Sequence, residues 1–580
     1  MTDYLNPFDY ESAADLDARV LIDYYSEDFN YSRFVLSHRN VFFAGERGTG
    51  KTMVLRFYSL PVQQCKAQLE RREGPLNIVG VYVGCNTPLA SKKEHELLEP
   101  SWAAVVAEHL LVLQMIWALA ASLSEVPDLL EGADLPRVTR QVELGLGFKV
   151  PRGVPLLLAL RDIAQHESTR TQRALDSRDP SGSYANALSF STGIVPLLQA
   201  FREVPRLAAS HFSFLFDDAH MLNAPQRRAL NSWVSYRDHS LFSLKVAFAR
   251  SDWTSFETAT GSPILEGHDY ITVDMEQPYQ NEFSLFGKLA REIITKRLAR
   301  LGKGDVAVDA FFPENQEFRK DIDACRRQAA EAVRAKRGEI SKKQLNDYVY
   351  KHARAIYFRE RSARANRPPY SGFETMVHLS TGVIRYLLEP CYRMYERAFS
   401  ELSVAVPDGP ASVDFISPSV QTEVIMDMSA RWWDRLRSGL DDTVKGCSRE
   451  QGQQLHSLLD QLAVLFRERL MSDISEPRAT AFSISEADDP HMDELRRLLL
   501  IARKAQYLYM YSGVAKTEGR REYYYVPNRM LWPARGLDPI GQNARVSLRA
   551  SELWAAATAG KRLREKGAAH NQGEGLFDED

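Results

Sequence analysis

Cysteine is scarce in this chain. Five cysteines among 580 residues (Cys65, Cys85, Cys325, Cys391 and Cys447) stand far apart, odd in number and without a CxxC pair. That spacing argues against a disulfide framework and a thiolate zinc site, and fits a reducing cytoplasm. The thirteen histidines are scattered, with no HExxH and no zinc-ligand spacing, and GxSxG is missing too, so no competing hydrolase chemistry is legible. Charge of one sign is not in excess either. The formal net charge is -3, so any attraction to nucleic acid has to come from a local basic face. The opening "MTDYLNPFDYESAADLDARV" lacks the basic and apolar segments of a signal peptide, and no internal repeat is visible.

What is present suits a large globular protein. A chain of 580 residues exceeds what one core supports, and 44% hydrophobic with 26% charged residues supplies packed interiors, so three domains are expected. The most apolar stretch, Trp102 to Leu123, has the length of a membrane span. Glu108, His109 and Gln114 near its middle would be costly in hydrocarbon, so it is read as a buried helix, and no membrane is expected.

Strand, loop and helix signals alternate through the first half. "NVFFAG" enters a glycine loop from which a helix leaves at Lys51, and "LNIVGVYVGCNT" has the continuous apolar character of a strand buried on both faces. Residues from Glu94 to about Arg206 read as a helical insertion. After it come "HFSFLFDDAH", "LFSLKVAFAR" and "DYITVDM", three more strands, with a helix around "PQRRALNSWVSYRD" between the first two. This predicts an α/β fold with a doubly wound parallel sheet. The expected domains are a P-loop core over 1–275 with its insertion at 94–206, a helical lid over 276–400, a winged-helix-like domain over 410–558 and a disordered tail over 559–580. The winged helix is read from helices followed by a hairpin, "AQYLYMYSGVAKT" and "REYYYVPNRMLW" around "EGR".

"GERGTGKT" satisfies GxxxxGK[ST] between a strand and a helix, the context that gives the motif its meaning. Gly45, Glu46, Arg47, Gly48, Thr49, Gly50, Lys51 and Thr52 form the expected nucleotide-binding loop. Glycines let backbone N–H groups turn onto the β-phosphate, Lys51 reaches β- and γ-oxygens, and the Thr52 hydroxyl ligates Mg²⁺. In "FSFLFDDAH" a buried strand ends in acid, so Asp217 is expected to hold Mg²⁺ and Asp218 to orient or deprotonate the attacking water. His220 is expected to be a packing or capping residue. Arg250, ending the next strand, has the charge to sense the γ-phosphate, with Ser251 or Asp252 as alternatives. Arg385, in the first turn of the helix in "LSTGVIRYLLEPCYRMYERA", is a second candidate sensor. ATP is favoured over GTP because no NKxD motif is present.

"GERGTGKT", "VGVYVGC", "FLFDDAH" and "STGVIRYLLE", with a winged helix after them, resemble an AAA+ ATPase of the origin-recognition and initiator (ORC-CDC6-like) branch. The order is also similar to the STAND class of signalling ATPases. The first resemblance implies an ATP- and Mg²⁺-dependent switch that grips duplex DNA; the second implies a bacterial signalling or antiviral-defence ATPase that oligomerises on sensing a partner. The initiator branch usually carries Asp-Glu where this chain has Asp217 and Asp218, which implies slow hydrolysis. The gap from Lys51 to Asp217 is long for either class, and the insertion within it is a candidate protein-docking site.

Two other regions carry positive charge. Glu317 to Arg367 holds fifteen Lys/Arg against seven Asp/Glu, a candidate track for a phosphate backbone. Lys516, Arg520 and Arg521 at the hairpin tip, beside Tyr523, Tyr524 and Tyr525, have the character of a wing entering a minor groove.

Overall fold

Four consecutive apolar residues, Val41–Ala44, form the strand (β1) on which the first half of the chain is organised. The computed structural model describes residues 6–564 apart from 10–11, 28–30, 73, 75, 87–97, 178–179, 237–239, 254, 277–283, 339, 361–367, 406–411, 475–476, 486–488 and 515–520. The chain divides into two compact units, Glu11–Glu276 and, discontinuously, Met1–Tyr10 with Gln277–Asp580.

In the first unit β1 joins Ile78–Gly84 (β2), His211–Asp217 (β3), Phe242–Phe248 (β4) and Ile271–Asp274 (β5). All pairs are parallel, in the order β2-β3-β4-β1-β5. Alternate residues of β1 serve opposite faces, as a pleated strand requires. Val41 and Phe43 pack with Leu21, Tyr25, Val54 and Phe57, while Phe42 and Ala44 belong to the core on the other face.

That other face is covered by the insertion. Helices Pro100–Ser124, Leu135–Leu146 and Leu156–Leu175 share one apolar core with the sheet. Pro100–Ser124 is long and apolar enough to cross a membrane, yet most of it is buried in this core. Its polar residues have structural work. Glu108 Oε1 accepts the Phe190 N–H (2.9 Å) and the Trp233 indole N–H (3.0 Å), and His109 Nδ1 accepts the Leu188 N–H (3.0 Å). The Gln114 amide donates to the Gly84 carbonyl at the end of β2.

The second unit begins with helices Leu285–Arg300, Gln316–Arg337, Lys342–Glu360, Ile384–Ala405, Pro418–Ser438 and Arg449–Met471. A sheet comes next, built from Ala479–Ser485 (β6), Leu508–Val514 (β7), Arg521–Pro527 (β8) and Gln542–Arg549 (β9) in the order β7-β8-β6-β9. β7 and β8 pair antiparallel, as the hairpin reading expects, whereas β6 and β9 are strands that the sequence reading did not contain. Helix Met492–Lys504 links β6 to β7. Leu563, within the stretch read as a polar tail, is buried, and 565–580 lie outside the described residues.

Residues near the start of the chain also belong here. Phe8, fully buried, stands against Phe311, Phe312 and Tyr395 with ring centroids 6.0, 5.6 and 6.0 Å away. Arg297 Nη1 donates to the Pro7 carbonyl (2.8 Å), and the Asn6 amide donates to the Tyr392 carbonyl (3.1 Å) and to Glu396 Oε1 (2.8 Å).

The helical pair 316–360 is pinned to the sheet by a buried ion cluster. Arg354 grips Asp538 through two bonds (2.7 and 2.8 Å), and Arg478 Nη1 lies 3.8 Å from the same carboxylate. Asp538→Ala would leave two guanidinium groups without their anion, which costs about 3–5 kcal/mol. We expect a clear fall in the thermal midpoint of the second unit; an unchanged midpoint would show that the cluster contributes little.

Candidate nucleotide site

Strand register brings the site together. Ala44 at the end of β1 lies level with Phe248 of β4 on one side and Asp274 of β5 on the other. Two residues further on, Glu46 meets the residues that lie just beyond the ends of these two neighbouring strands. Ser251 gives Glu46 its N–H (3.0 Å to Oε1) and its hydroxyl (2.9 Å to Oε2), and Glu276 Oε1 accepts the Glu46 N–H (2.5 Å). The close approach of β5 explains Gly45, where a Cβ would stand 2.9 Å from Met275 Cβ and 2.9 Å from Thr49 Oγ1. Gly48 and Gly50 have φ of 88° and 94°, which L side chains resist.

Lys51 folds back beneath this loop. Its ammonium donates to the carbonyls of Gly45 (2.7 Å) and Glu46 (2.8 Å) and lies 3.4 Å from Thr49 Oγ1. Burial lowers its pKa, and the negative charges of Asp217, Asp218, Glu46 and Glu276 work in the opposite direction.

β3, buried throughout, ends at Asp217. Burial raises the Asp217 pKa and Asp218 adds to this, while Thr52, Tyr82 and Lys51 hold it down. The Tyr82 phenol donates to Oδ2 (2.8 Å), but the buried Oδ1 has no hydrogen-bond partner among the described residues. A carboxylate oxygen left over in this way, with a threonine hydroxyl beside it, suits Mg²⁺, which takes one or two carboxylates and completes its shell with phosphate and water. Asp218 has left-handed backbone (φ 52°, ψ 37°), a conformation that aspartate tolerates better than most residues, and its side chain is 35% exposed. His220 is buried, its pKa lowered by that burial against the pull of Asp218. Its Nδ1 accepts the Ala249 N–H (3.3 Å), joining the ends of β3 and β4, a packing role.

The remaining candidates are divided. Arg250 pairs with Asp274 of β5 (2.7 Å), Ser251 is taken by Glu46, and the Asp252 carbonyl accepts from Arg227 (3.3 Å). Arg385 belongs to the second unit, exposed in the first turn of Ile384–Ala405 after a turn in which Thr381 and Gly382 have positive φ. Lys516 and Arg520 lie outside the described residues; Arg521 opens β8. The first unit therefore brings together residues 45–52, Asp217, Asp218 and Arg250.

Tyr82 and Glu276 were missed by reading the sequence, and Glu46 was taken only as a loop position. Tyr82 is the one hydroxyl in an aliphatic strand beside β3, and Glu276 comes after the strand beside β1; both become informative once the strand order is known. Tyr82→Phe removes a donor from Asp217 and is expected to raise about tenfold the Mg²⁺ concentration that supports nucleotide binding, since partners of metal ligands typically count for this much. A Mg²⁺ titration at fixed ATP checks this, and an unaltered midpoint would remove Tyr82 from the site.

Comparison with known proteins adds the family. The ORC-CDC6-like family model matches residues 6–343 and 327–548. No curated protein matches the sequence. Among solved structures, that of the Aeropyrum pernix Orc1 protein in complex with DNA aligns at 11% identity over 90% of this chain and 92% of that one, with a TM-score of 0.20. So low a score leaves the assignment to the family model, which spans nearly the whole chain, glycine loop and acidic strand included. The chain belongs to the ORC-CDC6-like family.

Proposed function

We propose that the chain is an ATP-binding, slowly hydrolysing AAA+ switch whose nucleotide state governs its hold on duplex DNA. One observation carries the nucleotide half of this reading: Oδ1 of Asp217, unpartnered among the described residues, Thr52 and the buried ammonium of Lys51 meet at one glycine loop. Lys51 binds the β- and γ-phosphates, Thr52 and Asp217 hold the cation, and the loop N–H groups orient the chain of phosphates. Bound Mg²⁺ supplies neutralisation of phosphate charge. Asp218 orients the attacking water and takes its proton; being one methylene shorter than glutamate it reaches less far, hence slow turnover. Arg250 and Arg385 are the proposed γ-phosphate sensors.

The second unit supplies the DNA half. Thr381 Oγ1 accepts the Arg529 N–H (3.0 Å), the Arg529 guanidinium meets His378 Nδ1 (3.0 Å), and the Tyr386 hydroxyl donates to Gln506. The turn and helix around Arg385 are thus tied to the base of the β7–β8 hairpin. The order β7-β8-β6 with one helix between β6 and β7 supports a winged-helix reading, β9 being an added strand. Exposed cations on 316–360, among them Arg326, Arg327, Arg334, Lys336, Lys342 and Lys343, would gain affinity for a backbone by counterion release. Trp117 and Leu144, exposed on the insertion, mark the proposed place for a protein partner or a second copy. The cytoplasm is the proposed location.

The test is duplex binding with ATP, ADP or no nucleotide at two salt concentrations, beside Lys51→Ala. Binding should depend on ATP, fall at least about tenfold between 50 and 200 mM salt, and lose its nucleotide response in the variant. Absence of duplex binding in every state would sink the DNA half of the reading. Separately, Asp218→Asn should lower ATP turnover by about 100-fold or more, the usual contribution of a positioned base, while nucleotide binding persists; undiminished turnover would reassign the base.

A further inference from the structure

Two carboxylates meet at the opening residues of the phosphate loop, and no step of the proposed nucleotide chemistry uses them. Glu46 and Glu276 are 5% and 6% exposed. Glu276 accepts the Glu46 N–H at 2.5 Å, and the Glu46 carboxylate is held in turn by both donors of Ser251. Glu276 is therefore fixed against the loop by a backbone bond. It is also the last residue of the first unit.

We propose that Glu276 is a positioning residue of the phosphate site, holding the Glu46 N–H of the loop and taking up a proton from solvent when a nucleoside polyphosphate fills it. This rests on the nucleotide-binding reading of the same loop. The charged groups facing Glu276 come from each neighbouring element: Glu46 from the loop, Arg250 after β4, Asp274 from β5 and Lys51 from the helix that leaves the loop. Burial first, and then the charge of Glu46, push its pKa up to about 7, with Arg250 pulling the other way. Phosphates add negative charge on the same side and draw on Lys51, whose ammonium otherwise offsets both glutamates. Every change on binding thus favours the neutral acid. Protonation leaves the bond to the loop intact, because a neutral carboxyl still accepts through its carbonyl oxygen. A group whose pKa is higher in the complex favours binding at low pH, so affinity falls as pH rises from the free to the bound pKa.

The experiment measures Mg²⁺-nucleotide affinity of the full chain from pH 6.5 to 8.5, with calorimetry in two buffers of different ionisation heat. For a tenfold coupling, uptake is roughly 0.4–0.5 proton per nucleotide between pH 7 and 8. Glu276→Gln keeps an acceptor for the Glu46 N–H and has no proton to gain. It should lose most of the uptake and bind about five- to tenfold more tightly than the wild type at pH 8.5. Glu276→Ala, which likewise has no proton to gain but lacks the acceptor, should bind about tenfold more weakly than Glu276→Gln at every pH. If Glu276→Gln shows the wild-type pH slope and uptake, the inference is overturned while the nucleotide reading stands. If the wild type binds no nucleotide at any pH, the nucleotide reading fails and this inference with it.

Discussion

A primary ammonium buried under a loop of backbone is the condition around which the first unit is arranged. Removing the charge of Lys51 from water costs several kcal/mol unless it is hydrogen-bonded and balanced. Two loop carbonyls supply the bonds, and four acids supply the balance. Those acids are not local to Lys51 in sequence. Asp217 and Asp218 arrive at the end of β3, Glu276 after β5, and only Glu46 belongs to the loop itself. The strand order is thereby locked to the electrostatics of the site: a sheet in another order would bring a different set of carboxylates to the cation. A doubly wound sheet usually places its ligand site at the carboxyl ends of its strands where the order reverses, and β1, β3, β4 and β5 all contribute from that edge.

The insertion obeys the same logic of shared burial. A 25-residue helix this apolar has no stable existence alone in water, and it finds cover by closing over one face of the sheet. Glu108 then acts as a pin rather than a charge. Its carboxylate answers a backbone N–H and an indole N–H from two other elements, which fixes the helix in rotation where apolar packing alone would tolerate a slip.

How much of this could be read from the sequence depends on what each feature needs. The parallel strands were legible because burial on both faces forces continuous apolar runs such as "FSFLF", and the glycine loop because phosphate geometry dictates residue types at fixed spacing. β6 and β9 escaped notice: "ATAFSIS" has only Phe and Ile among small residues and "QNARVSLR" is broken by charge, so neither exceeds the signal of a loop. Glu276 and Tyr82 were hidden for another reason. Their meaning lies in which strand stands beside which, and a single sequence carries no pairing order. Polar residues inside the long apolar helix argued correctly for burial, yet their partners Phe190 and Trp233 lie some eighty and more than a hundred positions away.

The seat of Phe8 among Phe311, Phe312 and Tyr395 has a consequence for synthesis. Chains grow from the amino end, and domains generally fold as they emerge. The first unit, complete by Glu276, is available early, whereas residues 6–9 wait for a pocket whose walls lie about 300 to 390 positions downstream. Until then a phenylalanine beside other aromatic residues is open to water and to other chains. Residues 6–9 are thus made well before the walls that bury them, and are among the last to find their place.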